Sequence, residues 1–389
     1  MSFIRFAAFG VQGRLVIAMV VVGLNGFISA KSAPAAQIPA LQWDQRSDWL
    51  NVKTDIVPPA IGDGKADDTL AIQKALSGVR DGSVLYFPPG TYRITAPLVL
   101  KNSTGARWIG GLIVGSGRNT KLVWDGAEGG ALFLLNGIAY SRFVGFEMDG
   151  QGKASVGFHY QATQGFQTEV THRHLAFRGF TNAAVLEDHS SRGQALAETT
   201  FENCFFEDCG RGVAFLQFND YDFTFDGCEF QRCGVAIDCA HGNFFEGSGD
   251  DPPGHATITG AKVHSFASKD PAKNNLIDIR NYHGEIFIGP YQFYQEPKLM
   301  RMKQEGAEPV ELFLLACSWY GAKPDPQLSA AAKMWPIGNE FYGTMPDGER
   351  VNNSSFFKTV PNPATLAKLS RALDDLRRLG EMDLRLNHP

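Results

Sequence analysis

IGDGKADDTLAIQKAL (residues 61–76) and GSVLYFPPGTYRI (residues 82–94) form the stretch that decides the fold. The first part predicts a short helix over Thr69–Leu76, with Asp67 or Asp68 as its N-cap. Its apolar stripe consists of Leu70, Ala71, Ile72, Ala75 and Leu76. The second part predicts a strand at Val84–Phe87, a Pro-Pro-Gly turn and a further strand through Ile94. A helix is therefore expected to cover the start of a sheet.

This unit resembles the N-terminal signature of the pectate lyase superfamily, which includes polygalacturonase-like hydrolases, polysaccharide lyases and phage tailspikes. The resemblance implies an all-β chain folded as a single-stranded right-handed parallel β-helix, with a short N-terminal capping helix. It does not define the reaction, because this superfamily carries several chemistries on one scaffold.

A repeat supports the same fold. FENCFFEDCG at 201–210 recurs as FDGCEFQRCG at 225–234, an offset of 24 residues that is typical of one β-helix coil. The match continues from Gly212 into Gly234 with a two-residue slip, and a more distant copy aligns 235–245 with 277–287 at an offset of 42. The larger offset indicates a loop inserted into one coil.

Four of the six cysteines lie within this repeat. Cys204 with Cys228, and Cys209 with Cys233, occupy equivalent positions of consecutive coils. Such pairs are close enough for disulfides, but buried free thiols that stack like the neighbouring phenylalanines are favoured. A zinc site is disfavoured, because the coil period already explains the spacing.

The chain divides into a predicted secretory signal peptide (1–35), a β-helix domain (36–360) and a C-terminal amphipathic helix with its tail (361–389). The 42 glycines and 29 phenylalanines suit tight corners and a stacked interior. The predicted location is periplasmic or secreted, with no membrane attachment after signal cleavage. A net charge of −5 gives no indication of nucleic-acid binding. Monomer and homo-oligomer both stay open.

Alignment of the coils predicts polar columns on one sheet. The inward triplets are taken as Val156-Gly-Phe158, Ala183-Ala-Val185, Val213-Ala-Phe215, Val235-Ala-Ile237 and Ile277-Asp-Ile279. The next position then holds His159, Leu186, Leu216, Asp238 and Arg280. Three residues further on, the column holds Ala162, His189, Asn219, His241 and His283. Surface decoration would also produce such columns, but their clustering in the later coils favours a site.

The predicted catalytic residues are Asp238, His241, Arg280, Tyr282 and His283, and the predicted substrate-binding residues are His189, Asn219, Asn243, Glu246 and Glu285. Removal of a proton beside a uronic carboxylate needs a neutralising cation and a base that titrates near neutral pH. Arg280 and a histidine could supply these, and Tyr282 could protonate the leaving oxygen. The residue types therefore favour β-elimination on an acidic polysaccharide.

Two alternatives remain. Hydrolysis requires two carboxyl groups around the glycosidic bond, and the acidic candidates include Asp238, Glu246, Asp250 and Asp251. A non-catalytic β-helix could instead bind sugars through exposed aromatic rings. No metal ligands are predicted; calcium would need an acidic ladder on the sheet, and the alignment places only Asp238 there.

Overall fold

The computed structural model describes residues 38–101, 108–161, 167–187, 196–215 and 223–239, followed by short stretches between 254 and 342 that are almost all strands. Within these residues the chain has one helix, α1 (Thr69–Gly78), and 33 strands. The strands are β1 (Leu50–Asn51), β2 (Asp63–Asp67), β3 (Val84–Phe87), β4 (Gly90–Ile94), β5 (Leu98–Lys101), β6 (Trp108–Ile109), β7 (Leu112–Gly115), β8 (Thr120–Trp124), β9 (Ala131–Asn136), β10 (Ile138–Ala139), β11 (Arg142–Asp149), β12 (Val156–Tyr160), β13 (Gln167–Thr168), β14 (Thr171–Arg178), β15 (Ala183–Glu187), β16 (Leu196–Ala197), β17 (Thr199–Glu202), β18 (Phe205–Glu207), β19 (Arg211–Phe215), β20 (Phe223–Asp226), β21 (Glu229–Cys233), β22 (Val235–Cys239), β23 (Gly254–Thr259), β24 (Lys262–Phe266), β25 (Asn275–Ile279), β26 (Gly284–Ile288), β27 (Gln292–Tyr294), β28 (Leu299–Gln304), β29 (Val310–Leu315), β30 (Ser318–Tyr320), β31 (Lys323–Gln327), β32 (Ala332–Ile337) and β33 (Glu340–Tyr342).

The strands stack into a parallel β-solenoid, as the sequence predicts. One sheet contains nine strands in the order β31-β28-β25-β22-β19-β15-β12-β9-β5, and a 20-stranded sheet supplies the other two sides. The larger sheet turns at a corner whose residues have left-handed backbone angles: Gly145 (φ 69), His174 (φ 51), Asn203 (φ 49) and Gly227 (φ 62) occupy it in successive coils. Glycine and asparagine suit this corner because they tolerate positive φ.

The predicted 24-residue repeat is confirmed in the larger sheet. Phe201 pairs with Phe225, and Phe206 pairs with Phe230. Their rings stack in the interior with centroids 4.9 Å and 4.7 Å apart. The phenylalanines thus form a continuous aromatic ladder along the solenoid axis.

The four repeat cysteines are free, buried thiols, which confirms the favoured interpretation. The Sγ atoms of Cys204 and Cys228 each donate to a carbonyl oxygen of the preceding coil, at 3.3 Å in both cases. Burial, together with the neighbouring thiol of the stack, raises the pKa of Cys209 and Cys228. The thiols of Cys209 and Cys228 are therefore packing groups in a weakly nucleophilic state.

The cap forms where it was predicted, with one correction. Helix α1 buries Thr69, Ala71, Ile72, Ala75 and Leu76, whereas Leu70 is 80% exposed and was wrongly placed in the stripe. Asp68 is at the N-cap position, but its side chain makes no cap hydrogen bond with the helix. Its carboxylate instead accepts hydrogen bonds from the backbone N–H groups of Ile61 and Gly62. Asp68 therefore ties the loop before β2 to the start of the helix.

Replacing Gly90 with alanine is expected to destabilise the cap by about 1–3 kcal/mol, the range typical of overpacking. An added Cβ at Gly90 would lie 2.8 Å from the carbonyl oxygen of Gly62, which belongs to the backbone and cannot move aside freely. Gly78 offers a matched control, since its Cβ would meet only Leu50 at 3.7 Å. Chemical unfolding of both variants should show a loss for Gly90→Ala and none for Gly78→Ala; an equal effect would contradict the steric argument.

Candidate functional site

Strand pairing in the nine-stranded sheet defines two columns of residues, which we call the first and second columns, and whose described side chains lie outside the main core. Strand pairing defines the first column as Ala131, Val156, Ala183, Arg211, Val235, Asn275 and Arg301. It defines the second as Leu134, His159, Leu186, Ala214, Asp238, Asp278 and Lys303. Between them Phe158, Val185, Val213 and Ile237 enter the main core, whereas Val156, Ala183, Leu186 and Ala214 form a separate apolar cluster.

Both columns change from apolar to charged in adjacent coils, the first at Arg211 in β19 and the second at Asp238 in β22, although the apolar residue Val235 follows Arg211 in the first column. The first column is apolar as far as Ala183 and continues with Arg211. The second is apolar at Leu186 and Ala214 and continues with Asp238. The register then places Asp278 beside Asp238, followed by Lys303. A polar zone therefore begins at β19 and β22.

Arg211 and Asp238 form an ion pair at the start of this polar zone. The Nη1 atom of Arg211 donates to Oδ2 of Asp238 at 2.9 Å. The Asp238 side chain is 4% exposed and the Arg211 side chain 20% exposed. The other terminal nitrogen of Arg211, Nη2, donates to Oδ1 of Asn182, one coil earlier. The guanidinium is thus held from both neighbouring coils.

The structure corrects the register on which the site prediction was built. Arg211 pairs with Val235, and Val213 pairs with Ile237, so the 24-residue offset continues here without the predicted slip. Val235 then pairs with Asn275, Ile237 with Ile277 and Asp238 with Asp278, an offset of 40 residues instead of 42. The residue beside Asp238 is therefore Asp278, where the sequence alignment placed Arg280. The predicted equivalence of His241 and His283 rested on the offset of 42 and loses that support.

Few of the predicted site residues can be placed. Asp238 lies on the predicted face, within the ion pair. Glu285 lies in β26 of the 20-stranded sheet, paired with His255 and Glu311, and so not on the nine-stranded sheet. The other candidates lie outside the described residues and stay predictions: His189, Asn219, His241, Asn243, Glu246, Arg280, Tyr282 and His283.

Sequence reasoning missed Arg211. The alignment of Val213-Ala-Phe215 with Ala183-Ala-Val185 left Arg211 outside the columns, although strand pairing puts it beside Ala183. A strict 24-residue period, carried past Gly210, would have aligned Arg211 with Val235 and identified it.

A second set of charges lies on the outside of the 20-stranded sheet. Lys121 and Arg178 approach Glu147 at 3.2 Å and 4.0 Å, and Arg178 and Arg232 both contact Glu207. Each acid in this set is thus paired with cations from neighbouring coils. The arrangement ties successive coils together and needs no ligand to explain it.

A known protein family matches the part of the chain that contains the cap. Residues 49–120 match the family model described as "Rhamnogalacturonase A/epimerase, pectate lyase-like". This match confirms the resemblance to the pectate lyase superfamily over the cap and the first coils. No curated protein shows significant sequence similarity to the chain.

Solved structures of similar shape come from several sources. ORF18 of Geobacillus virus E2 shares 15% identity at a TM-score of 0.45, covering 76% of this chain and 60% of that one. The GH87 α-1,3-glucanase catalytic unit of Streptomyces thermodiastaticus shares 15% identity at 0.41, covering 84% and 73%. The alginate lyase of Paenibacillus sp. shares 13% identity at 0.42, covering 70% and 95%. At these levels no residue role or activity passes from them to this chain.

The described residues contain neither a helix suited to crossing a bilayer nor a group of three or more His, Cys, Asp or Glu side chains arranged to hold a metal ion.

Proposed function

We propose that this protein is an exported enzyme that cleaves a uronic-acid-containing polysaccharide by β-elimination. The site is the polar zone on the outer face of the nine-stranded sheet, around Asp238. The observation that carries the proposal is the appearance of a charged residue in each column in adjacent coils, Arg211 in β19 and Asp238 in β22, which pair with each other. Export rests on the predicted signal peptide over residues 1–35.

The proposed reaction needs three functions at this face. A base removes the proton from the carbon beside the uronic carboxylate. The electron pair of that carbon–hydrogen bond then forms a carbon–carbon double bond as the glycosidic carbon–oxygen bond breaks. A cation stabilises the negative charge that develops on the carboxylate, and an acid returns a proton to the leaving oxygen. His241 or His283 is proposed as the base, Arg280 as a cation and Tyr282 as the acid. The polysaccharide is bound with help from His189, Asn219, Asn243 and Glu246, whereas Glu285, in the 20-stranded sheet, is not part of this proposal.

Hydrolysis is the second candidate, because the corrected register supplies a specific observation in its favour. Asp238 and Asp278 are partners on adjacent parallel strands. Retaining glycosidases need two carboxyl groups about 5–5.5 Å apart, and two acidic residues paired on adjacent strands, whose backbones lie about 4.8 Å apart, are candidates for them. Asp238 is, however, engaged by Arg211, and this engagement favours the elimination mechanism over one in which Asp238 delivers a proton.

Product analysis tests the proposal. The protein lacking residues 1–35 is incubated with a panel of uronic-acid and neutral polysaccharides. We expect new reducing ends from the acidic polymers, accompanied by ultraviolet absorbance from the unsaturated sugar that elimination creates. Reducing ends without this absorbance would replace elimination by hydrolysis. Retention of acidic polymers without any cleavage would show a binding protein instead.

A further inference from the structure

Arg211 differs from its ion-pair partner in its access to solvent. Its side chain is 20% exposed, while that of Asp238 is 4% exposed. Arg211 is therefore the more exposed member of the pair.

The guanidinium is oriented before any ligand binds. Nη1 donates to Asp238 and Nη2 donates to Asn182, so one coil on each side fixes its plane. A guanidinium carries five N–H donors in a planar fork that matches a carboxylate, and these two bonds use only two of them. Because the side chain is already held, little conformational entropy is lost when a ligand carboxylate binds.

Stability does not explain the pair. Arg211 lies beside Ala183 and Val235 in its column, whereas Asp238 lies between Ala214 and Asp278, so the pair forms at the border of the apolar cluster. Taking two charges out of water costs free energy, and apolar replacements of similar volume are often as stable. What supports a role in the site is the partial exposure of Arg211 on the proposed face, together with its orientation by two hydrogen bonds.

We infer that Arg211 binds the carboxylate of the uronic acid unit, with Asp238 and Asn182 as positioning residues; this inference rests on the proposed function. Arg211 then selects acidic over neutral sugars. It also provides, among the described residues, a cation for the charge that develops during elimination.

The test compares binding of a short uronic acid oligosaccharide with binding of its methyl ester, by calorimetry. Arg211→Met could fail to fold. The main variant is therefore the double replacement Arg211→Met/Asp238→Leu, which removes both charges of the pair together. We expect its Kd for the free acid to rise roughly 10- to 100-fold, as for loss of a charge-assisted hydrogen bond, with little change for the ester. Arg211→Lys, which keeps the charge and loses the fork, should give a smaller rise.

The matched control is Arg173→Met/Glu202→Leu. It removes an ion pair of 3.3 Å between outward side chains of the 20-stranded sheet, and it should leave both affinities unchanged. If the wild type cleaves acidic polysaccharide and the Arg211 variants keep their preference for the free acid, Arg211 is not the recognition residue, although the proposed function stands. If the affinities for the free acid and for the ester fall equally, the ion pair has a structural role only. A wild type that neither binds nor cleaves any acidic polymer would overturn both proposals.

Discussion

Between pH 7 and pH 4 the free energy of unfolding is expected to fall by about 3 kcal/mol through His172 alone. His172 is fully buried within the aromatic ladder, stacked on Phe201 with centroids 4.3 Å apart. Its Nδ1 faces the carbonyl oxygen of Thr200 at 3.3 Å and must donate, so Nε2 accepts from the hydroxyl of Tyr160 at 2.7 Å. Both ring nitrogens are therefore satisfied in the neutral form.

The sign follows from the direction of the shift. Burial, opposed by the hydrogen bond to Thr200, lowers the pKa of His172 from 6.5 to about 3 in the folded protein. In the unfolded chain His172 therefore binds a proton below about pH 6.5. In the folded protein it binds one only below about pH 3. The stabilisation is fully present above the unfolded value and is lost as the pH falls towards the folded one. Unfolding in urea at several pH values measures the slope.

The double variant Tyr160→Phe/His172→Phe isolates this contribution. It removes both polar partners and keeps aromatic rings of similar shape, so its stability at neutral pH should be close to that of the wild type. The pH dependence should become shallower by about the 3 kcal/mol assigned to the histidine. His174, whose pKa is lowered first by burial and then by Arg173, is present in both proteins and cancels in the comparison. An unchanged slope would show that His172 is accessible to protons in the folded state.

Local signals explain why the cap could be predicted closely. Strand β3 covers Val84–Phe87 as predicted, and α1 begins at Thr69. Both depend on turn residues and short-range periodicity within one stretch of chain. Leu70 was misplaced because the apolar residues of α1 cover a wider arc of the helix surface than the part that is buried.

The register of the nine-stranded sheet could not be predicted in the same way. A shift of two residues leaves the same side chains facing inward, so the hydrophobic pattern does not penalise it. Val213-Ala matches Val235-Ala by letters, yet the strands pair Val213 with Ile237. The period of the solenoid, not local similarity, sets the pairing. Inserted loops then change that period by amounts that the sequence does not mark.

The burial of His172, in contrast, could have been predicted from the repeat. His172 pairs with Phe143 in the preceding coil and with Phe201 in the next. An alignment of β14 with its neighbours would have placed this imidazole in a phenylalanine column. The candidate site is harder to predict, because Arg211 and Asp238 meet only through the correct register.

Arg211→Met alone is expected to lower the free energy of unfolding by about 3–5 kcal/mol, the usual result of removing one partner from a buried ion pair. The carboxyl group of Asp238, with 4% of its side chain exposed, would lose its ion pair and hydrogen bond with Arg211. Asp238→Leu should cost less, because the long Arg211 side chain already reaches solvent and can direct its charge outwards.

The double replacement Arg211→Met/Asp238→Leu should recover most of this loss, since both charges are gone and the new side chains extend the apolar cluster of Val156, Ala183, Leu186 and Ala214. Urea unfolding of the four proteins gives the coupling energy as a double-mutant cycle. A loss below about 1 kcal/mol for Arg211→Met would mean that the pair behaves as an exposed one. A double variant as unstable as Arg211→Met would mean that the charges themselves hold β19 against β22. If the double variant recovers stability but no longer prefers the free acid, the two roles are separated. The pair is then dispensable for folding and required for binding the ligand carboxylate.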